Sequence, residues 1–216
     1  MNKGRHIVIV GNGEIAPLAA PVIDAADLVV RFNECGSFGR GGTKTDIVAV
    51  CNTGRPAKAM LSSDAWKTSA PVTMASALWS VRDPAKFAAM RAPLAVSHPE
   101  LDDFCDDYTD AFAAFAAATG KTHEVIGAAV HEATDSALAP YAPGRYVAPS
   151  SGLIVVMAFL SGRAAAAPFD TISIAGFSHV GWEGHPFAAE RRLVDAWVAD
   201  GRLTRIAEPD LSSQGA

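Results

Sequence analysis

The stretch Arg5-His-Ile-Val-Ile-Val10 ends in an unbroken apolar run, Ile7 to Val10, that stops at Gly11. A strand wet on one face alternates apolar and polar residues, whereas an unbroken run belongs to a strand covered on both faces. Covering both faces of a sheet requires helices on each side, which parallel strands joined by helical crossovers provide. The chain supplies the parts. Asp27-Leu-Val-Val-Arg-Phe-Asn33, Thr45-Asp-Ile-Val-Ala-Val50 and Thr171-Ile-Ser-Ile-Ala175 read as further strands, each followed by polar or glycine-rich residues. Pro149-Ser-Ser-Gly152 reads as the capped start of a helix over residues 153–160, closed by Gly162. Residues 186–199 read as a helix with Phe187, Leu193, Val194 and Trp197 on its apolar face and Glu190, Arg191 and Asp195 outside it. The expected class is α/β, a mostly parallel sheet with helices on both faces.

The intervening residues are read more coarsely. Gly11-Asn-Gly13-Glu turns the chain, and residues 15–20 form a short helix stopped near Pro17 or Pro21. Residues 36–42 hold four glycines and read as a flexible loop, and residues 52–56 as a polar one. Residues 71–76 and 93–97 are expected as strands, residues 83–90 and 101–118 as helices, with Gly120 a natural stop. Residues 123–141 read as mostly helical, ended by Pro143-Gly144, and residues 202–206 as a last strand. A length of 216 residues suits one domain, set at residues 1–208, with 209–216 as a flexible tail.

Composition narrows the partners. The net charge is −5 and no basic block occurs, which argues against nucleic acid. Cys35, Cys51 and Cys105 show neither CxxC nor metal spacing, a sparse, odd set that suits a reducing compartment. No signal-like apolar segment precedes the first strand, and the longest apolar run, residues 153–160, is too short to span a bilayer. The expectation is a cytoplasmic protein without a transmembrane segment, with peripheral membrane contact still compatible.

Four groups of polar residues fall where such sheets bind ligands, just beyond the carboxyl ends of strands. They are Asn12; Arg31 with Asn33; the helix start at Ser150, Ser151 and Gly152; and the loop bearing His179 and His185. A helix N-terminus among them favours an anionic ligand. Each has a plainer reading: Asn33 and Arg31 can tie down loops, and the serines can simply cap a helix. Gly11-x-Gly13 is a weak nucleotide signal, because position 16 is alanine where the fingerprint has glycine, although Glu34 lies at the distance expected of a ribose contact. The spacings His179-x5-His185 and His185-x4-Glu190 match no standard zinc pattern, and no metal is expected. His185 precedes Pro186 and falls near a helix N-cap, where the dipole disfavours imidazolium and leaves a neutral base. Five residues of separation keep Glu190 off the helical face of His185.

In order, these motifs resemble those of the sialyltransferases of glycosyltransferase family 29. The long motif appears as Val8-Ile-Val-Gly-Asn-Gly13, then Ile23-Asp-Ala-Ala-Asp-Leu-Val-Val-Arg-Phe-Asn33, then Gly42-Thr-Lys-Thr-Asp46. The short motif appears as Pro149-Ser-Ser-Gly152 leading to Ile174-Ala-Gly-Phe177, and the very short one as His185-Pro-Phe-Ala-Ala-Glu190. The resemblance implies a single Rossmann-like glycosyltransferase domain over residues 1–208, using no metal or resident cofactor. It implies an inverting transferase that moves a 2-keto sugar acid, sialic acid, Kdo or a relative, from a CMP-sugar donor to a glycan or lipid-linked acceptor. It assigns His185 as general base, His179 to the leaving phosphate, and Asn12, Gly13, Asn33, Ser150, Ser151 and Gly152 to the donor, with Arg31 and Glu190 in support. Neither the membrane anchor nor the disulfide of the animal enzymes is expected here, and the loop before the very short motif is compact, as in a bacterial form. A nucleotide (NAD-type) dependent oxidoreductase and a catalytically idle nucleotide-sugar binding module are the alternatives.

Overall fold

The computed structural model describes residues 4–162 and 170–206. Seven strands among them form one sheet: β1 (His6–Val10), β2 (Leu28–Phe32), β3 (Ile47–Val50), β4 (Ala77–Ser80), β5 (Thr122–Val125), β6 (Thr171–Ala175) and β7 (Thr204–Arg205). Their spatial order is β5-β4-β3-β2-β1-β6-β7. Every pairing is parallel, with Val8 opposite Val29 on one side and Ser173 on the other. The helices are α1 (Ala19–Asp24), α2 (Gly54–Ser62), α3 (Asp64–Lys67), α4 (Ala70–Met74), α5 (Pro84–Ser97), α6 (Thr109–Ala118), α7 (Ala128–Leu138), α8 (Ser151–Leu160) and α9 (Phe187–Ala199).

The apolar run of β1 is buried on both faces, as its pattern requires. Ile7 and Ile9 face the core built with α7, α8 and α9, while Val8 and Val10 pack against Ala19 and Ile23 of α1. Further along the α1 face, Val48, Val50 and Leu78 pack on Met60, Trp66 and Phe112 from α2, α3 and α6. Leu153 through Phe159 of α8 are all buried, so this helix has no wet face and runs beneath the sheet. At about 1.5–3 kcal/mol for each large apolar side chain removed from water, α8 is a major source of core stability. The α/β class and the Rossmann-like parallel sheet hold.

The winding places the site. The chain steps outward from β1 through β5, then crosses back to lay β6 against the other side of β1. Connections leave the carboxyl ends of β1 and β6 in opposite directions, and a crevice opens between them.

Several local expectations need correction. The first helix begins at Ala19 instead of residue 15, and Pro21 sits in its first turn, where a missing N–H is harmless. Residues 71–76 are not a strand: Pro71 starts α4 at its second position. Residues 93–97 are the end of α5, which continues through Pro93. The supposed polar loop at residues 52–56 already holds the start of α2, and only Thr109–Ala118 of the helix expected over residues 101–118 forms one continuous α-helix. β4 lies just after the segment proposed as a strand, and β5, at the exposed edge, begins the stretch taken as helical. The glycine loop at residues 36–42 is tied down by Arg31, as detailed below. The tail at 209–216 lies outside the described residues. Among those described, no helix is long and apolar enough to cross a membrane.

Candidate functional site

The crevice between β1 and β6 is a cavity of about 340 Å³. Asn12 and Gly13 follow β1, Asn33 follows β2, Ser150, Ser151 and Gly152 open α8, His179 and His185 come from the loop after β6, and Glu190 comes from α9. Nine of the ten residues singled out by sequence therefore meet in one place. The exception is Arg31, which is fully buried away from the cavity.

Close backbone approach explains the glycines. The Gly11 N–H donates to the Ala175 carbonyl at 2.8 Å and the Gly13 N–H to the Gly176 carbonyl at 3.0 Å. A Cβ on Gly11 would overlap the Gly176 carbonyl oxygen, and one on Gly13 would come within 2.7 Å of it. The Gly-x-Gly turn thus locks β1 to β6, and the Gly13 amide is already engaged. Gly152 has a related role, because a Cβ there would lie 2.8 Å from Phe177 Cε1.

Other motif residues are also tied into the scaffold. Asn12 donates from Nδ2 to the Phe32 carbonyl and accepts the Gly36 N–H at 3.0 Å, holding the loop after β2. Arg31 donates to the carbonyls of Lys44, Gly41 and Gly42 and to the hydroxyls of Thr45 and Ser37. Its guanidinium is the post around which the glycine loop winds, so that loop is not the free segment its composition suggested. Asp24 accepts the N–H groups of Thr43 and Lys44, and Asp46 that of Val29. The sequence places Glu190 outside the apolar face of α9, but it is 1% exposed. Its carboxylate accepts the Ser150 N–H at 2.7 Å and the Ser150 hydroxyl at 2.6 Å, while the Ser150 hydroxyl accepts the Leu153 N–H at 3.2 Å. Glu190 pins the α8 cap instead of touching His185, and burial holds its carboxyl above the usual range.

Other polar groups face the cavity. The Ser151 and Gly152 N–H groups at the positive end of α8 have no acceptor among the described residues. Asn33 takes a left-handed φ of 50° and accepts the Cys51 N–H through Oδ1, which leaves its Nδ2 as a donor. His185 is bonded through Nδ1 to the Ala148 carbonyl at 2.7 Å. A carbonyl can only accept, so Nδ1 carries the proton. Burial, with the Arg82 cation adding to it, holds His185 down at about 4. At neutral pH its Nε2 is therefore a bare lone pair. The sequence reading of a neutral imidazole holds, although the chief cause is burial, and Pro186 is the N-cap itself. His179, at a φ of 52°, has a buried Nε2 without a partner. Burial, then the Arg205 and Arg191 charges, holds it at about 4 as well. The set can fix an anionic group on main-chain and amide donors and present a neutral base beside it. Among the described residues no group of three or more His, Cys, Asp or Glu could hold a metal ion.

Sequence reasoning missed Arg82 and Trp182. Arg82 follows the buried stretch of β4 as Arg31 lies within that of β2, a carboxyl-end position that could have flagged it. Trp182 packs edge-on against the His185 ring at 4.9 Å and closes one side of it.

No family model matches the chain. The urease operon 23 kDa accessory protein of Rhizobium meliloti (strain 1021) is 58% identical over 219 residues, covering all of both chains. Two solved structures share the fold. One is a crystal structure of a mammalian sialyltransferase, with a TM-score of 0.53 at 15% identity, covering 95% of this chain and 70% of that one. The other is a mammalian sialyltransferase in complex with Gal-beta-1-3GalNAc-ortho-nitrophenol, with a TM-score of 0.51 at 17% identity and the same coverage. The resemblance read from the motifs thus holds at the level of fold.

The functional expectation does not hold. The full-length accessory-protein relative overturns the assignment as a CMP-sugar-dependent glycosyltransferase, together with the CMP-sugar donor and the glycan or lipid-linked acceptor as partners. It equally overturns the oxidoreductase and idle nucleotide-sugar module alternatives. The physical reason lies in what the motif residues do. Gly11, Asn12, Gly13, Asp24, Arg31, Asp46, Ser150 and Glu190 are bonded to one another or to the backbone that they position. Such residues mark a fold, and one fold hosts many functions.

Proposed function

Because the chain belongs to the family of the urease operon 23 kDa accessory protein, we propose that it serves a urease operon as an accessory protein, and does so through the cleft between β1 and β6. The observation that carries this reading is the full-length kinship, since the shared fold leaves function open. The cleft supports the second half. Free donors at Ser151, Gly152 and Asn33 converge there with the lone pair of His185, a combination that suits a small ligand bearing an anionic group. The products of the urease operon are the proposed partners. The cytoplasm is the proposed compartment, in keeping with three cysteines that are all unpaired.

The test is genetic and then biochemical. Deleting the coding sequence from its operon is expected to lower urease activity in cells, and the wild-type chain to restore it. His185→Ala, checked for an unchanged melting curve, is expected to restore markedly less. A deletion that leaves urease activity unaltered overturns the accessory role. Full restoration by His185→Ala overturns the part assigned to the cleft.

A further inference from the structure

A second hollow of about 360 Å³ lies beside the cleft, and Asn33, Ser151 and His185 line both. Arg82 is part of its wall. This arginine is 2% exposed. Among the described residues its side chain has one acceptor, the Pro149 carbonyl at 2.9 Å from Nη1, and its buried Nε has none. No carboxylate among the described residues lies within ion-pair distance of it. The charge rests over the Phe87 ring at 5.1 Å, which supplies a face and no acceptor.

Arg31 gives the internal comparison. It too is a buried arginine at the carboxyl end of a strand, but five acceptors surround it. A guanidinium taken from water and left with one acceptor is costly, and buried polar groups in native folds find partners. Glu190 is close enough to feel the Arg82 charge, but it forms no ion pair with it and is occupied by Ser150. The described residues therefore do not complete Arg82.

The rest of the hollow describes what would. Phe104 and Trp182 lie ring to ring at 5.4 Å and an interplanar angle of 31°, and with Leu101 and Pro56 they make an apolar wall. At the mouth, Arg55 and Asp103 neutralise one another through a 2.8 Å bond. One buried cation facing apolar and aromatic walls fits an organic acid better than a bare inorganic anion, which would leave those walls unsatisfied. We infer that this hollow binds a small carboxylic acid with an apolar or planar body, its carboxylate on Arg82 and its body against Trp182 and Phe104. The hollow shares Asn33, Ser151 and His185 with the cleft, but the inference rests on Arg82 and its aromatic wall and takes no premise from the accessory role.

The full chain is titrated with sodium benzoate, benzamide and sodium phosphate at matched ionic strength, read by thermal shift and calorimetry. Benzoate is expected to raise the melting temperature by several degrees in a saturable way, by linkage, with benzamide and phosphate inert. Arg82→Met, which keeps the aliphatic stem and removes the charge, is expected to abolish the shift. Leu101→Trp, which fills the hollow and leaves Arg82 in place, is expected to abolish it too. Benzoate binding that survives either substitution, benzamide binding as well as benzoate, or phosphate alone binding overturns the assignment, as does a wild-type chain that ignores benzoate.

Discussion

Glu190→Ala tests the wiring of the site most directly. The substitution removes both oxygens that hold Ser150. The Ser150 N–H is then left without an acceptor in a half-buried position, a loss of about 1–3 kcal/mol. Truncation also opens space between α9 and the start of α8, which adds about 1 kcal/mol or more. Against this, a buried charge disappears, and with it part of its desolvation penalty. The net expectation is a destabilisation of about 2–4 kcal/mol. Glu190→Gln keeps the shape and a carbonyl oxygen for the Ser150 N–H while discarding the charge, so its loss is about 1 kcal/mol or less. Urea unfolding at pH 7, followed by tryptophan fluorescence, separates the two. With a slope of about 3 kcal/mol per molar, the midpoint falls by about 1 M for alanine and by about 0.3 M or less for glutamine. Equal midpoints for the two variants, or an alanine variant indistinguishable from wild type, would refute the claim that a stranded Ser150 donor dominates.

Two further outcomes follow from close contacts and burial. Gly11→Ala forces a Cβ into the Gly176 carbonyl, backbone against backbone with no side chain to yield, and is expected to lower stability by about 1–3 kcal/mol in the same assay. His131 is 1% exposed, its Nε2 is bonded to the Val81 carbonyl, and burial with the Arg82 charge holds it at about 4. The unfolded chain takes up that proton near pH 6.5 and the folded chain only near 4, so stability present above pH 6.5 is lost as pH falls toward 4. His131→Leu is expected to flatten this acid limb by up to about 1.4 kcal/mol per pH unit, read from unfolding midpoints at several pH values.

How much was legible follows from how locally each feature is written. β1 and β3 stand out because burial on both faces leaves an apolar run with a sharp end, and β2 and β6 because short, mostly apolar stretches, broken by Arg31 and Ser173, end at polar or glycine residues. α8 announces itself through Ser150, whose side chain caps it as serine before an apolar run should. β5 could not be found this way: it is an edge strand of Thr122-His-Glu-Val125, largely exposed, and its identity comes from pairing with β4. Pro71 and Pro93 misled for another reason, since a proline followed by apolar residues looks extended until tertiary packing makes a helix of it. The residues of the site were visible as strand-end polar groups. Their bonding was not, because Glu190 and Ser150 are forty residues apart in sequence and nothing local says that they meet. Function was the least legible, because the motif order tracks residues that build the scaffold.

One consequence of the strand order concerns synthesis. β1 leaves the ribosome well over a hundred residues before its neighbour on one side, β6, which begins only at Thr171. Until then the growing chain carries β1 with an open edge of unpaired backbone N–H and C=O groups on a largely apolar strand, the kind of edge that invites pairing with another chain. Of the seams of the sheet, only the one between β6 and β7 closes later than that between β1 and β6. A premature stop between residues 126 and 170 yields a polypeptide that has β1 through β5, no cleft between β1 and β6 and an adhesive edge, and such fragments are expected to go to proteolysis or aggregates instead of accumulating as partly working protein.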